Sequence, residues 1–470
     1  MTRVIEAPRK RVVLIACAGA YLAFLDTTIV NVAFPDIVAS FPDAGRAELS
    51  WVLDAYFIVL AALLVPAGGI ADRLGRKRVF LFGVAAFVLT SLACALAPSW
   101  EFLIAARVLQ GGAAAIIAPV SLALLLPEYT LEKRASGVAL WGAAAALAAA
   151  SGPTLGGFLV ELGDWRLIFL VNLPLGAAVY WAGRRVLDES RDETAGLPDL
   201  AGAALLALAL GLLALGIVEG EGWGWTSAKV LGSFAAGFAV LGTVAFRSLH
   251  HPRPVVDPEL MRIRSFAWAN AGTLLFAAAF FATILGNILF LTSVWQYSVL
   301  EAGAGTIPGP LLSAIVAAPA GRLAERFGFR AVIVPGTLIY VAGLLVLRSA
   351  GPEPDYLGVW LPGQALTGIG IGLAFTSLGA AAVAEIAPER FGTASAVNSA
   401  FRQFGAVLGT AVLVAIIGEP LGLQEALAAS DRAYLFAAAC TLASGVVALA
   451  LRPGLSRSEP PQERREALVV

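Results

Sequence analysis

The chain has 470 residues, 59% of them hydrophobic and 14% charged, and its mean hydropathy is +0.82; soluble domains carry about 25% charged residues. This composition excludes a water-soluble enzyme or a nucleic-acid-binding domain and places the chain in a lipid bilayer. The net charge of -1 identifies no partner, because in a membrane protein the information lies in where the basic residues fall along the chain.

In chain order, apolar runs long enough to cross about 30 Å of hydrocarbon as helix lie near 12–34, 50–71, 79–97, 102–126, 137–161, 166–183, 199–219, 229–247, 269–293, 303–321, 331–349, 356–384, 392–418 and 433–452, fourteen in all. Arg9, Lys10 and Arg11 precede the first run, and Ala18-Gly19-Ala20 resembles a cleavage site. The apolar stretch before that site is too short for a signal peptide and the run continues past Asp26, so it reads as the first spanning helix. Counted on alternate sides of these spans, Lys and Arg number 25 on the side of the termini and 5 on the other. That bias predicts both termini in the cytoplasm, and a missed or spurious span would scramble it. All ten tryptophans lie near predicted span ends and are expected to form an interfacial aromatic belt.

One sequence pattern occurs twice. Residues 67–77 (AGGIADRLGRK) and 320–330 (AGRLAERFGFR) align at a constant offset of 253 residues, each just after an apolar run. A repeat in that position marks a duplicated membrane protein whose halves rock against each other, which is the architecture of a transporter. The pattern pairs span 2 with span 10. The expected organisation is therefore a six-helix half at 1–190, two inserted helices at 191–247, a connector at 248–268, a second six-helix half at 269–452 and a tail at 453–470. Within the repeat, Gly68, Asp72, Arg73, Gly75, Arg76 and Lys77, with Gly321, Glu325, Arg326 and Gly328, are candidates for a gate: glycines allow close backbone approach, and the charges can pair in one conformation and release in another. Topological anchoring by the same basic residues is the alternative.

Charges inside spans are expensive and mark candidate sites. Asp26, about 13 Å deep from the outer end of span 1, Arg107, about 9 Å into span 4, and Asp54, one turn into span 2, share the outer half of the membrane by a rise of 1.5 Å per residue. A carboxylate in a low-dielectric site beside an arginine can bind or release a proton as its surroundings change; a permanent structural ion pair is the alternative. The second half holds the polar residues Asn287, Gln364, Asn398, Arg402 and Gln403 but no mid-span acid, and Glu385 lies near a span end. Candidates for a substrate cavity are Asn31, Tyr56, Phe280, Asn287, Gln364, Phe375, Asn398 and Arg402. The cysteines Cys17, Cys94 and Cys440 have no C-x-x-C spacing and the two histidines adjoin each other at 250 and 251, so neither a metal site nor a disulfide framework is indicated. No cofactor is expected beyond the proton as coupling ion.

The motifs resemble those of the major facilitator superfamily, and within it the fourteen-helix drug:proton antiporters of the QacA and EmrB type, over essentially the whole chain. Residues 25–35 (LDTTIVNVAFP) are similar to that family's span 1 signature, 68–77 to its cytoplasmic loop motif, 107–112 (RVLQGG) to its span 4 motif and 151–157 (SGPTLGG) to its span 5 antiporter motif. Trp165-Arg166 through Gly176 is similar to its sixth span. The resemblance implies an all-α fold of fourteen transmembrane helices and transport roles for Asp26 and Arg107. It also implies an antiporter element at Gly152, Pro153, Gly156 and Gly157, a kinked, small-faced helix suited to tight contact with the opposite half. The chain departs from the family where Ala148 replaces a frequent Gly, and the second half lacks the acids of some polyspecific members. The expectation is a monomeric, multi-pass protein of a bacterial inner membrane that exports lipophilic or cationic small molecules against protons. A dedicated exporter of one metabolite and a non-transporting scaffold or sensor are the alternatives.

Overall fold

The computed structural model describes residues 9–130, 134–192, 196–387 and 390–451; the expected tail at 453–470 lies outside the described residues. Its α-helices are α1 (Lys10–Ser40), α2 (Arg46–Leu74), α3 (Arg76–Ala95), α4 (Trp100–Leu125), α5 (Arg134–Leu162), α6 (Leu167–Leu170), α7 (Asn172–Val186), α8 (Leu200–Val218), α9 (Gly220–Trp223), α10 (Ala228–His250), α11 (Pro258–Arg262), α12 (Arg264–Ser293), α13 (Val299–Gly305), α14 (Pro308–Phe327), α15 (Arg330–Arg348), α16 (Leu361–Val383), α17 (Phe391–Ile417) and α18 (Leu423–Ala448). Among the described residues, 13 helical segments are long and apolar enough to cross a membrane. The fourteenth expected span lies within α18, which starts ten residues earlier than its apolar run and carries Glu425, Asp431 and Arg432 on that added stretch. Large apolar side chains such as Leu14, Phe82, Leu89 and Phe246 stand exposed on the outside of the bundle. A surface of that kind is stable against hydrocarbon and not against water.

Several helices run through prolines, including Pro35 in α1, Pro66 in α2 and Pro119 in α4. Neighbouring helices and local adjustment tolerate this inside a membrane. Because Pro35 does not end α1, the helix reaches Ser40 and the predicted depth of Asp26 needs correction: 14 residues, about 21 Å of rise, separate it from that end. Asp54 is likewise eight residues into α2, two turns rather than one. Two expected spans are interrupted. The sixth breaks at Val171 between α6 and α7. The tenth breaks between α13, which opens on a Ser298/Glu301 capping box, and α14, which begins with Pro308; proline at a first helical position loses no intrahelical hydrogen bond. The tryptophan belt also needs correction. Trp165 is wholly buried, its indole N–H donating to Ser40 Oγ at 3.0 Å and its backbone N–H to Asp36 at 3.0 Å. Trp360 is wholly buried against Phe290 and donates to Gly305 O at 3.2 Å.

The repeat has a shared geometry. α2 and α14 both end on a glycine of positive φ, Gly75 at 110° and Gly328 at 88°, and each glycine N–H donates to the carbonyl four residues back, at 3.0 and 2.9 Å. Side chains rarely adopt that backbone region, which explains the glycine in both copies.

Arg9 pairs with Glu128 and Asp188 at one end of the bundle, here the near end. Its hydrogen bonds to Glu128 and then to Asp188 hold the exposed guanidinium of Arg9 above its ordinary pKa. At the far end, α2 and α17 meet antiparallel: Arg46 donates to Glu419 and to Gly418 O, and Asp54 meets Thr410. α13 lies on α5 so closely that a Cβ on Gly303 would stand 2.4 Å from Pro153 O, and one on Gly157 2.8 Å from Val299 O. Nothing comes within 4 Å of a Cβ built on Gly68 or Gly321 at the near end. The helices before and after residue 250 are thus in close contact at the far end, whereas Gly68 and Gly321 at the near end have no such neighbour. α8 packs on α10 and also touches both α2 and α17, and Asp199 at its N-terminus accepts hydrogen bonds from Gly202 N–H and Arg247, both at 2.8 Å. Burial disfavours the charge on Asp199, yet these bonds outweigh it and hold the carboxyl below its ordinary range.

Gly303→Val should force α13 off α5 at a cost of about 1–3 kcal/mol. A cysteine placed at the buried Ala302 in a cysteine-free background should then react with a water-soluble maleimide faster than in the parent; equal rates would show that the far-end seam is unchanged.

Candidate functional site

Asp26 and Arg107 face each other in the first helical group and are both about 1% exposed. Arg107 Nη1 donates to Asp26 Oδ2 and, at 2.8 Å, to Gln110 Oε1; its Nε donates to Val52 O at 3.0 Å. Its guanidinium also lies 4.0 Å over the Tyr56 ring. Gln110 closes the circuit, its Nε2 donating to Asp26 Oδ1 at 3.2 Å and to Ser91 Oγ at 3.2 Å. Asn172 Nδ2 donates to the same Ser91 Oγ at 3.0 Å, and Ser91 donates to Phe169 O at 2.9 Å. Six elements, α1, α2, α3, α4, α6 and α7, therefore converge on one ion pair, and two charges so deep in an apolar bundle are tolerable only because each is paired and hydrogen-bonded.

Asp54 does not join this network. It is wholly buried in the far-end seam, where Thr410 Oγ1 donates to its Oδ1 while Oδ2 has no hydrogen-bond partner among the described residues. The carboxyl is therefore a contact between α2 and α17.

The cavity candidates divide. Tyr56 is wholly buried under Arg107 and donates to Ala23 O at 3.3 Å, and Asn31 is wholly buried with its Nδ2 on Thr27 O at 2.9 Å. Asn287 is buried and accepts from Tyr434 at 3.0 Å, and Gln364 is buried against Gly309. Phe280, Phe375, Asn398 and Arg402 are only partly buried. Phe280 and Phe375 are in ring contact at 5.5 Å, and Asn398 donates to Asn270 Oδ1 at 2.9 Å and Thr273 Oγ1 at 3.2 Å. Arg402 reaches across to the first group, 5.5 Å over the Phe24 ring.

At the near end, Arg76 pairs with Asp72 at 2.8 Å one turn away. The segment after α7 is strapped to this motif: Arg76 N–H donates to Ser190 O at 2.9 Å, Asp192 N–H to Asp72 O at 2.7 Å, and Glu189 accepts from the backbone N–H groups of Lys77 and Arg78 at 3.0 and 3.2 Å. Glu189 thereby satisfies two free donors at the start of α3. Arg73 sits in the last turn of α2. In the second copy, Arg326 lies 5.1 Å over Phe327 and Glu325 makes no ion pair among the described residues. Of the span 5 motif, Gly152 and Gly156 press on Thr28 and Ile29 of α1, while Pro153 and Gly157 meet α13. Sequence reasoning passed over Gln110, legible as the i+3 neighbour of Arg107 on one helix face, and Glu189 and Thr410, which carry no such signal.

A sequence model described as Major Facilitator Superfamily matches residues 16–310 and 269–469. The multidrug resistance protein Stp of Mycobacterium tuberculosis is 37% identical over 85% of this chain and 74% of its own length. The cephamycin export protein CmcT of Amycolatopsis lactamdurans is 34% identical over 95% of this chain and 93% of its own. A methylenomycin A resistance protein of Streptomyces coelicolor is 34% identical over 85% and 84%. The crystal structure of the human organic anion transporter MFSD10 (TETRAN) superposes with a TM-score of 0.64 over 94% of this chain and 100% of that one, at 17% identity.

Removing one partner of a buried pair costs about 3–5 kcal/mol. Asp26→Asn and Arg107→Gln should each lower the thermal midpoint of the detergent-solubilised protein markedly, and the double substitution should cost much less than the sum. Additive losses would mean that the two side chains act independently.

Proposed function

Because the chain belongs to the major facilitator superfamily, we propose that it exports lipophilic small molecules across a bacterial inner membrane in exchange for protons. In this reading it has fourteen spanning helices and both termini in the cytoplasm, works as a monomer, and is a transporter rather than an enzyme. The halves 1–190 and 269–452 rock about the far-end seam, the pair 191–247 rides beside them, and the cleft between the halves alternates its access. The near end is cytoplasmic and the open cleft is the state that admits substrate from inside.

The observation that carries this reading is the buried Asp26–Arg107 pair, held entirely within one half and bridged by Gln110. A proton on Asp26 removes the charge that Arg107 faces, and the guanidinium then relies on Val52 O, Gln110 and the Tyr56 ring. The contact between α1 and α4 is thereby weakened in one protonation state and restored in the other, which couples proton occupancy to helix packing. Each proton entering under 100 mV contributes about 2.3 kcal/mol. The Asp72–Arg76 pair and the 187–192 strap set how easily the near end closes.

The multidrug resistance named for Stp supports broad efflux, while the export and resistance functions named for CmcT and the methylenomycin A resistance protein support a second reading, a dedicated exporter of one antibiotic-like metabolite. A susceptibility panel in a pump-deficient host separates the two.

In everted vesicles with an imposed pH gradient, Asp26→Asn should abolish proton-driven accumulation of substrate while expression is retained, because the amide keeps the shape but cannot titrate. Accumulation at the parent rate would overturn the assignment. Asp72→Asn or Arg76→Ala should slow turnover and leave equilibrium binding unchanged; a large loss of affinity at normal turnover would remove these residues from the gate.

A further inference from the structure

Arg402 is a basic side chain in the bundle interior outside the proton-coupling pair. It is the twelfth residue of α17, about 17 Å from the start of that helix at 1.5 Å per residue. A guanidinium carries five N–H donors, and among the described residues the only hydrogen bond from Arg402 is a long one from Nη2 to Ser399 Oγ, 3.4 Å, on its own helix. Among the described residues no acid forms an ion pair with it.

The interior acids cannot serve as its standing partner. Asp26 is occupied by Arg107 and Gln110, and it lies two residues from Phe24, about 200° around α1, on the opposite face from the ring that Arg402 covers. Asp54 is sealed in the far-end seam with Thr410, two helical turns along α17 from Arg402. An unpaired cation at this depth is costly and points to a partner that arrives from elsewhere.

The surroundings describe that partner. Arg402 is partly exposed, and its guanidinium lies over Phe24 of the first group, whose ring in turn meets Trp141 edge-on at 5.5 Å. Trp141 is fixed by its indole N–H donating to Ser121 Oγ at 2.9 Å. A planar, fork-shaped donor beside two aromatic rings suits a molecule that has an apolar, ring-bearing body and a carboxylate or similar oxyanion. Among the described residues the interior acids are not available to a cationic molecule beside these rings, Asp26 being held by Arg107 and Asp54 sealed in the far-end seam.

Resting on the export reading above, we propose that the substrate is a lipophilic organic anion, with Arg402 binding its carboxylate and Phe24 and Trp141 packing on its ring system. This replaces the cationic class suggested by the sequence.

The test uses three probes that differ only in charge: 1-pyrenebutyrate, 1-pyrenebutanol and 1-pyrenebutylammonium at neutral pH. Binding to the purified full-length protein is read by quenching of tryptophan fluorescence. Pyrenebutyrate should bind at least about tenfold more tightly than the ammonium probe, Arg402→Gln should abolish that preference, and Arg402→Lys should retain part of it. Size-exclusion profiles matching the parent establish that the variants are folded, and Arg402→Lys keeps the test decisive if Arg402→Gln is not. Equal or tighter binding of the ammonium probe, an anion preference that survives Arg402→Gln, or binding of none of the three would overturn the proposal. Proton-driven accumulation of the probes in vesicles separates the two readings: uptake of the ammonium probe alone sinks the anion site and leaves export standing, whereas uptake of none sinks export itself.

Discussion

The structure depends on one requirement, that a carboxylate and a guanidinium survive deep in an apolar bundle. Asp26 and Arg107 meet it by taking every polar group within reach: Gln110 on the helix of Arg107, the Val52 carbonyl on α2, and Ser91 with Asn172 behind them. The cost of leaving either charge alone fixes how α1, α2, α3, α4 and α7 sit together. The first helical group is therefore organised around an ionic centre.

The seam between the groups is of a different kind. α13 rests on α5 through backbone atoms at Gly303, Pro153 and Gly157, and α2 meets α17 through Asp54 and Thr410 and, at the rim, through Arg46 on the Gly418 carbonyl. Close glycine contacts gain dispersion energy over a short range and lose it within an ångström or two. Firm charge pairing inside a group and short-range contact between groups is the division that a rocking machine needs. The near end repeats it in milder form, where the 187–192 strap and the Asp72–Arg76 pair brace one copy of the repeat while Glu325 and Arg326 of the other face open space.

Much of this was legible in the chain. The repeat at 67–77 and 320–330 was visible because two helices must stop on residues able to adopt positive φ, and glycine is the residue that does so freely. Asp26 and Arg107 were visible because charge in an apolar run is rare. Other features were not. Thr410 reads as an ordinary helix threonine, and its hydroxyl does lie 2.8 Å from the Ala406 carbonyl four residues back. The burial of Trp165 and Trp360 depends on chain breaks next to them, at Val171 and around Thr306, that no apolar count reveals. The depth of Asp26 was misjudged because a proline suggests the end of a helix, and α1 passes through Pro35 to Ser40.

The pair α8 and α10 has one further consequence. Because α8 touches both α2 and α17, it stands across the line where the two groups adjoin on that flank. On the other flank α5 meets α13 and α14 directly, and Leu311, Ile315 and Leu323 of α14 stand exposed. The inserted pair thus covers one line of contact between the groups and leaves the other to α5, α13 and α14, so the bundle is sided in the plane of the membrane as well as across it.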